Sequence, residues 1–131
     1  MVGGTLVVST TFLIEGNTPS KKNQRQMFVK NGRMINIPSK RYKEWHDQAM
    51  WQLKGVKKLK PPYEITTVFW FKDKRRKDLD NAQSSVLDLL QDVGIIEDDD
   101  AKLLTKITAV YGGVSKDAPR VKVEIKSSLD K

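Results

Sequence analysis

Alternating apolar and polar positions along the chain predict β-strands. The clearest case is RVKVEIK, residues 120–126, where every second residue is apolar, as expected of a sheet with one solvated face. Residues 63–72, YEITTVFWFK, are apolar on both alternating faces, which predicts a central strand covered on both sides. Two further apolar segments predict strands at 5–15 and 103–111.

A hairpin and a helix are predicted between the strand at 5–15 and the strand at 63–72. The segment MFVKNGRMIN, residues 27–36, predicts a hairpin because Asn31 and Gly32 tolerate the positive φ of a two-residue turn. Ser39 is a candidate N-cap for the helix that follows, over about 40–54, where apolar residues recur at helical spacing.

A second helix is predicted over about 80–93. Asp78 or Asp80 would cap its start, and Gly94 would end it. Its buried face is expected to consist of apolar residues about one turn apart: Ala82, Val86, Leu89, Leu90 and Val93. The order β, β-hairpin, α, β, α, β, β predicts an α+β fold, a mixed β-sheet with two packed helices, in a single domain over residues 1–131.

Composition narrows the class of protein. The 131 residues are 38% hydrophobic and include no cysteine, which favours a packed globular protein and excludes disulfide scaffolds and thiolate metal sites. The apolar N-terminal stretch has no basic region before it and alternates with Ser and Thr, so it is not read as a signal peptide. We expect a soluble cytoplasmic protein.

The net charge of +8 is unevenly distributed. Residues 1–77 carry 17 Lys and Arg against 5 Asp and Glu, whereas residues 78–131 carry 7 against 11. A sequence half this basic favours a polyanionic partner, most simply nucleic acid.

The acidic segment, residues 78–101, contains eight carboxylates and no Lys or Arg. Asp78 and Asp80 are two residues apart and point to one side, an arrangement of oxygen ligands that suits Mg²⁺ or Mn²⁺. A third ligand would come from Asp98, Asp99 or Asp100, provided that the chain returns towards Asp78. An EF-hand is excluded because the required Gly and Glu positions hold other residues.

Structural interpretations of these acids remain open. Asp78 and Asp80 could only cap a helix and favour its positive end. Asp88 and Asp92 lie at four-residue spacing on the same helix and are interpreted as solvated surface or interface. His46, the single histidine, is interpreted as an ordinary surface or half-buried residue.

The pattern KDLDN…LDLL…G…DD over residues 77–103 resembles the RusA family of Holliday-junction resolvases, which are common in phages and prophages. A weaker similarity covers TPSKKN, residues 18–23. The resemblance implies a RusA-like fold, a homodimer and a catalytic Mg²⁺ or Mn²⁺ held by aspartates. The implied metal ligands and catalytic residues are Asp78, Asp80 and Asp99, with Asp98 as the other member of the Asp-Asp pair and Lys77 as the preceding basic residue.

One position departs from the family pattern. The family usually has a lysine four residues after the second Asp of D-L-D, and this chain has Ser84 there. A cation from the run KDKRRK, or Lys102, is a candidate replacement. The residues predicted to hold DNA are Lys72, Lys74, Arg75, Arg76 and Lys77 near the cut phosphate, and Lys21, Lys22, Arg25, Lys30 and Arg33 on flanking duplex.

Three functions remain open from the sequence. The first is a metal-dependent endonuclease that cuts four-way DNA junctions. The second is a DNA-binding protein without cleavage activity, which the missing lysine at Ser84 keeps in consideration. The third is a metal-dependent nuclease for other branched or single-stranded DNA.

Overall fold

The computed structural model describes residues 7–20, 25–30, 33–38 and 40–128, and for residues 25–38 it describes the backbone alone. Six strands and two helices are found in these ranges. In chain order they are β1 (Val7–Glu15), β2 (Arg25–Lys30), β3 (Arg33–Pro38), α1 (Lys40–Gln52), β4 (Lys60–Phe71), α2 (Leu79–Asp92), β5 (Leu104–Val114) and β6 (Arg120–Ser128).

The main sheet has four strands in the order β1-β6-β4-β5. β4 and β5 are parallel neighbours, so α2 is the crossover helix that joins them. β6 is antiparallel to both β1 and β4, and the sheet is therefore mixed. β2 and β3 form a separate antiparallel hairpin. The α+β prediction, with two helices and a mixed sheet, is confirmed.

Both helices contribute to a core on one face of this sheet. The inward residues of β6 are fully buried, and α1 and α2 add side chains at helical spacing. The largest fully buried side chains include Tyr63, Phe69 and Phe71 of β4 and Ile14, Leu89, Leu90 and Ile125 around them. The predicted buried face of α2 is confirmed, with Val93 half-buried against the core.

The prediction that β4 is covered on both sides is wrong for the part of the chain described. Burial alternates along this strand: Ile65, Thr67 and Phe69 are buried, while Val68 and Trp70 are half-exposed. Apolar residues therefore occupy the face of β4 opposite the core. Arg120 stacks on one of them, with its guanidinium carbon 4.3 Å from the Trp70 ring centre.

Several boundaries differ from those predicted. β4 begins at Lys60, three residues before the predicted strand at 63–72, and runs through a cis peptide bond between Pro61 and Pro62. β5 continues to Val114 rather than ending near Tyr111. The predicted turn at residues 31–32 and the N-cap at residue 39 lie outside the described residues. None of the helices in the described ranges is long and apolar enough to cross a bilayer.

The two ends of α2 are defined by different interactions. At its C-terminus Gly94 has φ +81°, its N–H donates to the Gln91 carbonyl at 3.1 Å, and the Ile95 N–H donates to the Leu90 carbonyl at 3.0 Å. This is the pattern of a Schellman cap, which turns the chain back along the helix. At the N-terminus Asp78 is the N-cap residue, yet its side chain makes no capping hydrogen bond.

Candidate active site

The basic loop, Lys72–Lys77, connects β4 to α2. The Lys77 ammonium donates to Asp73 Oδ1 at 2.8 Å, and this hydrogen bond holds the pKa of Asp73 below its ordinary value. A lowered acid pKa stabilises the folded state above the ordinary pKa, so this stabilisation disappears as the pH falls through the lowered value. Lys77 is half-buried and turned towards Asp73, whereas Lys72, Lys74, Arg75 and Arg76 are exposed.

Asp78 and Asp80 lie at the start of α2 with few contacts on their carboxylates. Asp78 Oδ1 lies 3.7 Å from the Arg76 Nε, and its Oδ2 accepts a long hydrogen bond of 3.3 Å from the Asn81 amide. The exposed Asp80 accepts from the Asn81 backbone N–H at 2.9 Å. Because Asp78 does not cap the helix through its side chain, capping alone does not account for this carboxylate.

The acidic turn, Glu97–Asp100, is fixed at both ends. The buried Tyr63 donates to the Leu59 carbonyl at 3.0 Å and accepts a 3.4 Å hydrogen bond from the Glu97 N–H, while burial raises the pKa of its phenol. At the other end the Asp100 carbonyl accepts from Leu103 and Leu104, both at 2.8 Å. The acidic turn is therefore fixed to Tyr63 of β4 at one end and to the start of β5 at the other.

The three aspartates of this turn differ in their hydrogen bonds. Asp100 Oδ1 accepts from the Lys102 N–H at 2.8 Å, and Asp98 Oδ1 accepts from the Asp99 N–H at 2.7 Å. The described residues place no hydrogen bond on the exposed Asp99 carboxylate. Of the three, Asp99 is thus the side chain best able to accept an external ligand.

The chain after α2 returns along this helix only part of the way to Asp78. Asp99 lines a shallow depression with residues from the middle of α2, including Ser84 and Asp88. Ser84 lies one turn beyond Asp80 and donates back to the Asp80 carbonyl at 2.9 Å. Asp78, Asp80 and Asp99 do not form a three-ligand group with oxygen atoms within 4.8 Å among the described residues. Their shared role therefore stays a prediction.

A second depression opens at the N-terminus of α2, beside Asp78. Its lining comes from the segment after β1, the end of β4, the basic loop and the first turn of α2: Thr18, Ser20, Phe71, Arg76, Lys77, Asp78 and Ala82. The buried Ser85 hydroxyl donates to the Pro19 carbonyl at 2.7 Å and so holds that segment against α2. Thr18 is 3% exposed, and its hydroxyl has no hydrogen-bond partner among the described residues.

The basic surface around this depression extends beyond the residues predicted from sequence. Arg41 of α1 lines an adjoining groove with Arg75 and Arg76, and sequence reasoning missed it because its proximity depends on how α1 packs. Of the residues predicted for flanking duplex, Lys21 and Lys22 lie outside the described residues. Arg25, Lys30 and Arg33 are found at the ends of β2 and β3, with their backbone alone described.

Polar side chains connect α1 to α2 at a third position. The Tyr42 hydroxyl donates to Asp88 Oδ2 at 2.6 Å, and one turn later His46 Nε2 lies 2.7 Å from Asp92 Oδ2. His46 is half-buried, with 15% of its side chain exposed. The interpretation of Asp88 and Asp92 as surface or interface residues agrees with these contacts, whose partners the spacing along α2 could not identify.

Comparison with known families adds to this geometry. The family model described as endodeoxyribonuclease RusA matches residues 17–126, most of the chain. The chain belongs to the RusA family. A search of curated proteins finds no match. The RusA match begins at the segment that lines the depression beside Asp78 and includes the basic loop, α2 and the acidic turn, so every element described around the candidate site falls within it.

Proposed function

We propose that this RusA-family protein is a metal-dependent, structure-selective endodeoxyribonuclease that resolves four-way DNA junctions by phosphodiester hydrolysis. The observation that carries the proposal is the position of Asp78. Its carboxylate makes no capping hydrogen bond to α2 and lines one depression together with Arg76 and Lys77. Carboxylates suited to a metal ion thus adjoin cations suited to a phosphate backbone, within a chain of the endodeoxyribonuclease family.

The residues proposed to hold the metal are Asp78, Asp80 and Asp99, with Asp98 as a further candidate. Their donors are all carboxylate oxygens, which is the ligand chemistry of Mg²⁺ and Mn²⁺. Within the described ranges, Asp78 carries only a long hydrogen bond and a long ion pair, and Asp99 carries no hydrogen bond on its carboxylate. This supports the assignment because a ligand would displace no short contact from either side chain. When bound, the ion would lower the pKa of a water molecule and offset charge on the phosphate.

The chain's own cations would bind and orient the DNA. The exposed side chains of the basic loop and Arg41 would contact phosphates next to the depression. Lys77 is proposed as the cation nearest the reacting phosphate, and Asp73 would position its ammonium through their 2.8 Å hydrogen bond. The Lys and Arg side chains around the depression would also reduce the repulsion between the acidic site and the negatively charged DNA.

A cleavage assay tests the proposal and separates it from its alternatives. We expect a labelled four-way junction to be cut with Mg²⁺ or Mn²⁺, to be left intact with EDTA, and to be cut much faster than linear duplex of the same sequence. Equal cutting of single-stranded or other branched DNA would support the broader nuclease instead. Junction binding with no cutting under any metal would favour the non-catalytic DNA-binding protein, which Ser84 keeps in consideration.

Junction affinity is expected to fall steeply with salt concentration, because several Lys and Arg side chains would displace counterions from phosphates. Neutralising Lys74, Arg75 and Arg76 together should reduce the slope of log affinity against log salt by roughly one unit for each phosphate that the protein no longer binds. Filter binding or fluorescence anisotropy over a salt series measures both slopes. A salt-independent affinity would contradict the assignment of DNA as the partner.

The active species is proposed to be a homodimer. Two symmetric cuts across a junction require two active sites, and a two-fold axis through a dimer would supply the second. Sedimentation with and without junction DNA measures the oligomeric state. A protein that cuts both strands while remaining a monomer in both conditions would contradict this part of the proposal.

A further inference from the structure

The contact between α1 and α2 brings together an imidazole nitrogen and two carboxylate oxygens, all of which can bind a metal ion. His46 from α1 and Asp88 and Asp92 from α2 each offer one ligand atom, and these three atoms lie within 4.8 Å of one another. The two aspartates are one turn apart on the same helix, a spacing that directs both carboxylates to one face. None of these residues belongs to the metal ligands proposed for phosphodiester hydrolysis.

We propose that His46, Asp88 and Asp92 bind a transition-metal dication of the Zn²⁺ class, which joins α1 to α2. Ligands bound to one Zn²⁺ ion at about 2.0–2.2 Å lie no more than roughly 4 Å apart. Small side-chain rotations would therefore bring the three donors to a common ion. The ion would replace the hydrogen bond between His46 Nε2 and Asp92 Oδ2, which are 2.7 Å apart, and the proton of that bond would pass to solvent.

Charge supports a dication at this position. The Asp92 carboxylate carries a negative charge beside the imidazole, and a divalent ion would offset that charge. Asp47 Oδ1 lies 3.8 Å from His46 Nδ1, so another negative charge faces the same ring. In the described part of the chain, the ion pairs of both Asp92 and Asp47 involve His46, which is charged only when protonated.

The surrounding contacts match those that orient metal ligands in proteins. The Tyr42 hydroxyl donates to Asp88 Oδ2 at 2.6 Å and would fix that carboxylate while it binds through an oxygen lone pair. Asp47 adjoins the ring nitrogen of His46 that would not bind the ion. Asp92 is 47% exposed in its side chain, which leaves a route for the ion and room for a water ligand.

The ligand atoms of this site also favour a different metal from the one proposed for catalysis. Imidazole nitrogen favours Zn²⁺ and related transition metals, whereas Mg²⁺ prefers oxygen ligands alone. The site at His46 should therefore take Zn²⁺ in the presence of a large excess of Mg²⁺. Its role would be to hold the two helices together.

The single histidine of the chain provides a direct test. Protein without a histidine tag, stripped with a chelator, would be titrated with Zn²⁺ while the ring C–H signals of His46 are followed by NMR. We expect these signals to shift and to saturate at one Zn²⁺ per chain. Excess Mg²⁺ should leave them unchanged.

Variants then identify the ligands and keep the two metal sites apart. Asp92→Asn and Asp88→Asn should each weaken Zn²⁺ binding by about tenfold or more, and Tyr42→Phe should weaken it by roughly tenfold. Asp78→Asn should bind Zn²⁺ as the natural protein does, whether or not it cuts DNA. Far-ultraviolet circular dichroism checks that each variant is folded.

Three results would overturn the proposal. The first is natural protein whose His46 signals do not respond to Zn²⁺, which would leave the contacts as a hydrogen-bonded link between helices. The second is an unchanged affinity in folded Asp92→Asn. The third is loss of the His46 response in Asp78→Asn, because the response would then belong to the proposed active site.

Discussion

The Asp78→Asn protein is expected to bind a four-way junction and to leave it uncut. The substitution removes a proposed metal ligand and a negative charge near phosphate, with little change in shape. Since a catalytic metal contributes several kcal/mol of charge stabilisation, and each 1.4 kcal/mol or so is tenfold in rate, we expect cleavage to fall by about a hundredfold or more. Binding should stay equal or become tighter.

Single-turnover cleavage at saturating protein, alongside junction binding in EDTA, separates these two effects. Glu44→Gln is the matched control, because it also removes one carboxylate but from α1, where the exposed Glu44 pairs with Lys40 at 3.8 Å. The control should cut at the natural rate. An Asp78→Asn protein that cuts as fast as the control would remove Asp78 from the proposed metal ligands.

Replacing Ser84 with Lys is expected to raise the cleavage rate by about tenfold or more. Ser84 is exposed, lies one turn beyond Asp80 and lines the same depression as Asp99. A lysine there could extend its ammonium towards the reacting phosphate and offset developing negative charge, an effect worth roughly 3–4 kcal/mol where a single such donor has been removed elsewhere. The serine hydroxyl instead donates to the Asp80 carbonyl and supplies no charge.

The matched control is Ser84→Met, whose side chain has similar length and no charge. A gain in both variants would assign the effect to packing or helix propensity rather than to charge. If Ser84→Lys leaves the rate unchanged, another cation would already serve, and Arg76→Ala, Lys77→Ala and Lys102→Ala should then reveal it by a rate loss without an equal binding loss. No change in any of the four variants would contradict the need for a cation beside the metal.

The spacing of apolar residues predicted much of this fold, because that spacing decides which face of a strand or helix is buried. The alternation in β6 and the apolar face of α2 are both found in the core. The start of β4 was missed because Pro61 and Pro62 are poor strand residues, and the strand extends past them only through the pairing of Lys60 with Ser128 of β6. The two-sided apolar pattern of β4 was misread because a sheet can leave apolar residues half-exposed on its open face.

Long-range contacts at the candidate site were beyond the reach of sequence patterns. The metal-binding role of Asp78 and Asp80 follows from residue type and spacing alone and stays a prediction. The position of Asp99 could not, since it depends on the cap at Gly94 and on the hydrogen bond between Tyr63 and Glu97. Likewise, nothing in the spacing of Asp88 and Asp92 indicated that Tyr42 and His46 would meet them across the two helices.

The antiparallel pairing of β1 with β6 has a consequence for how the protein is made in the cell. Val7 pairs with Ser128, so the first described strand finds its neighbour only after the ribosome has synthesised the last. Until then neither edge of β1 is paired within the described sheet, and the core side of Ile14 lacks the cover of β6. Completion of the sheet is therefore expected to follow release of the β6 segment from the ribosomal tunnel, which makes a nascent chain stalled before residue 120 a protease-sensitive species.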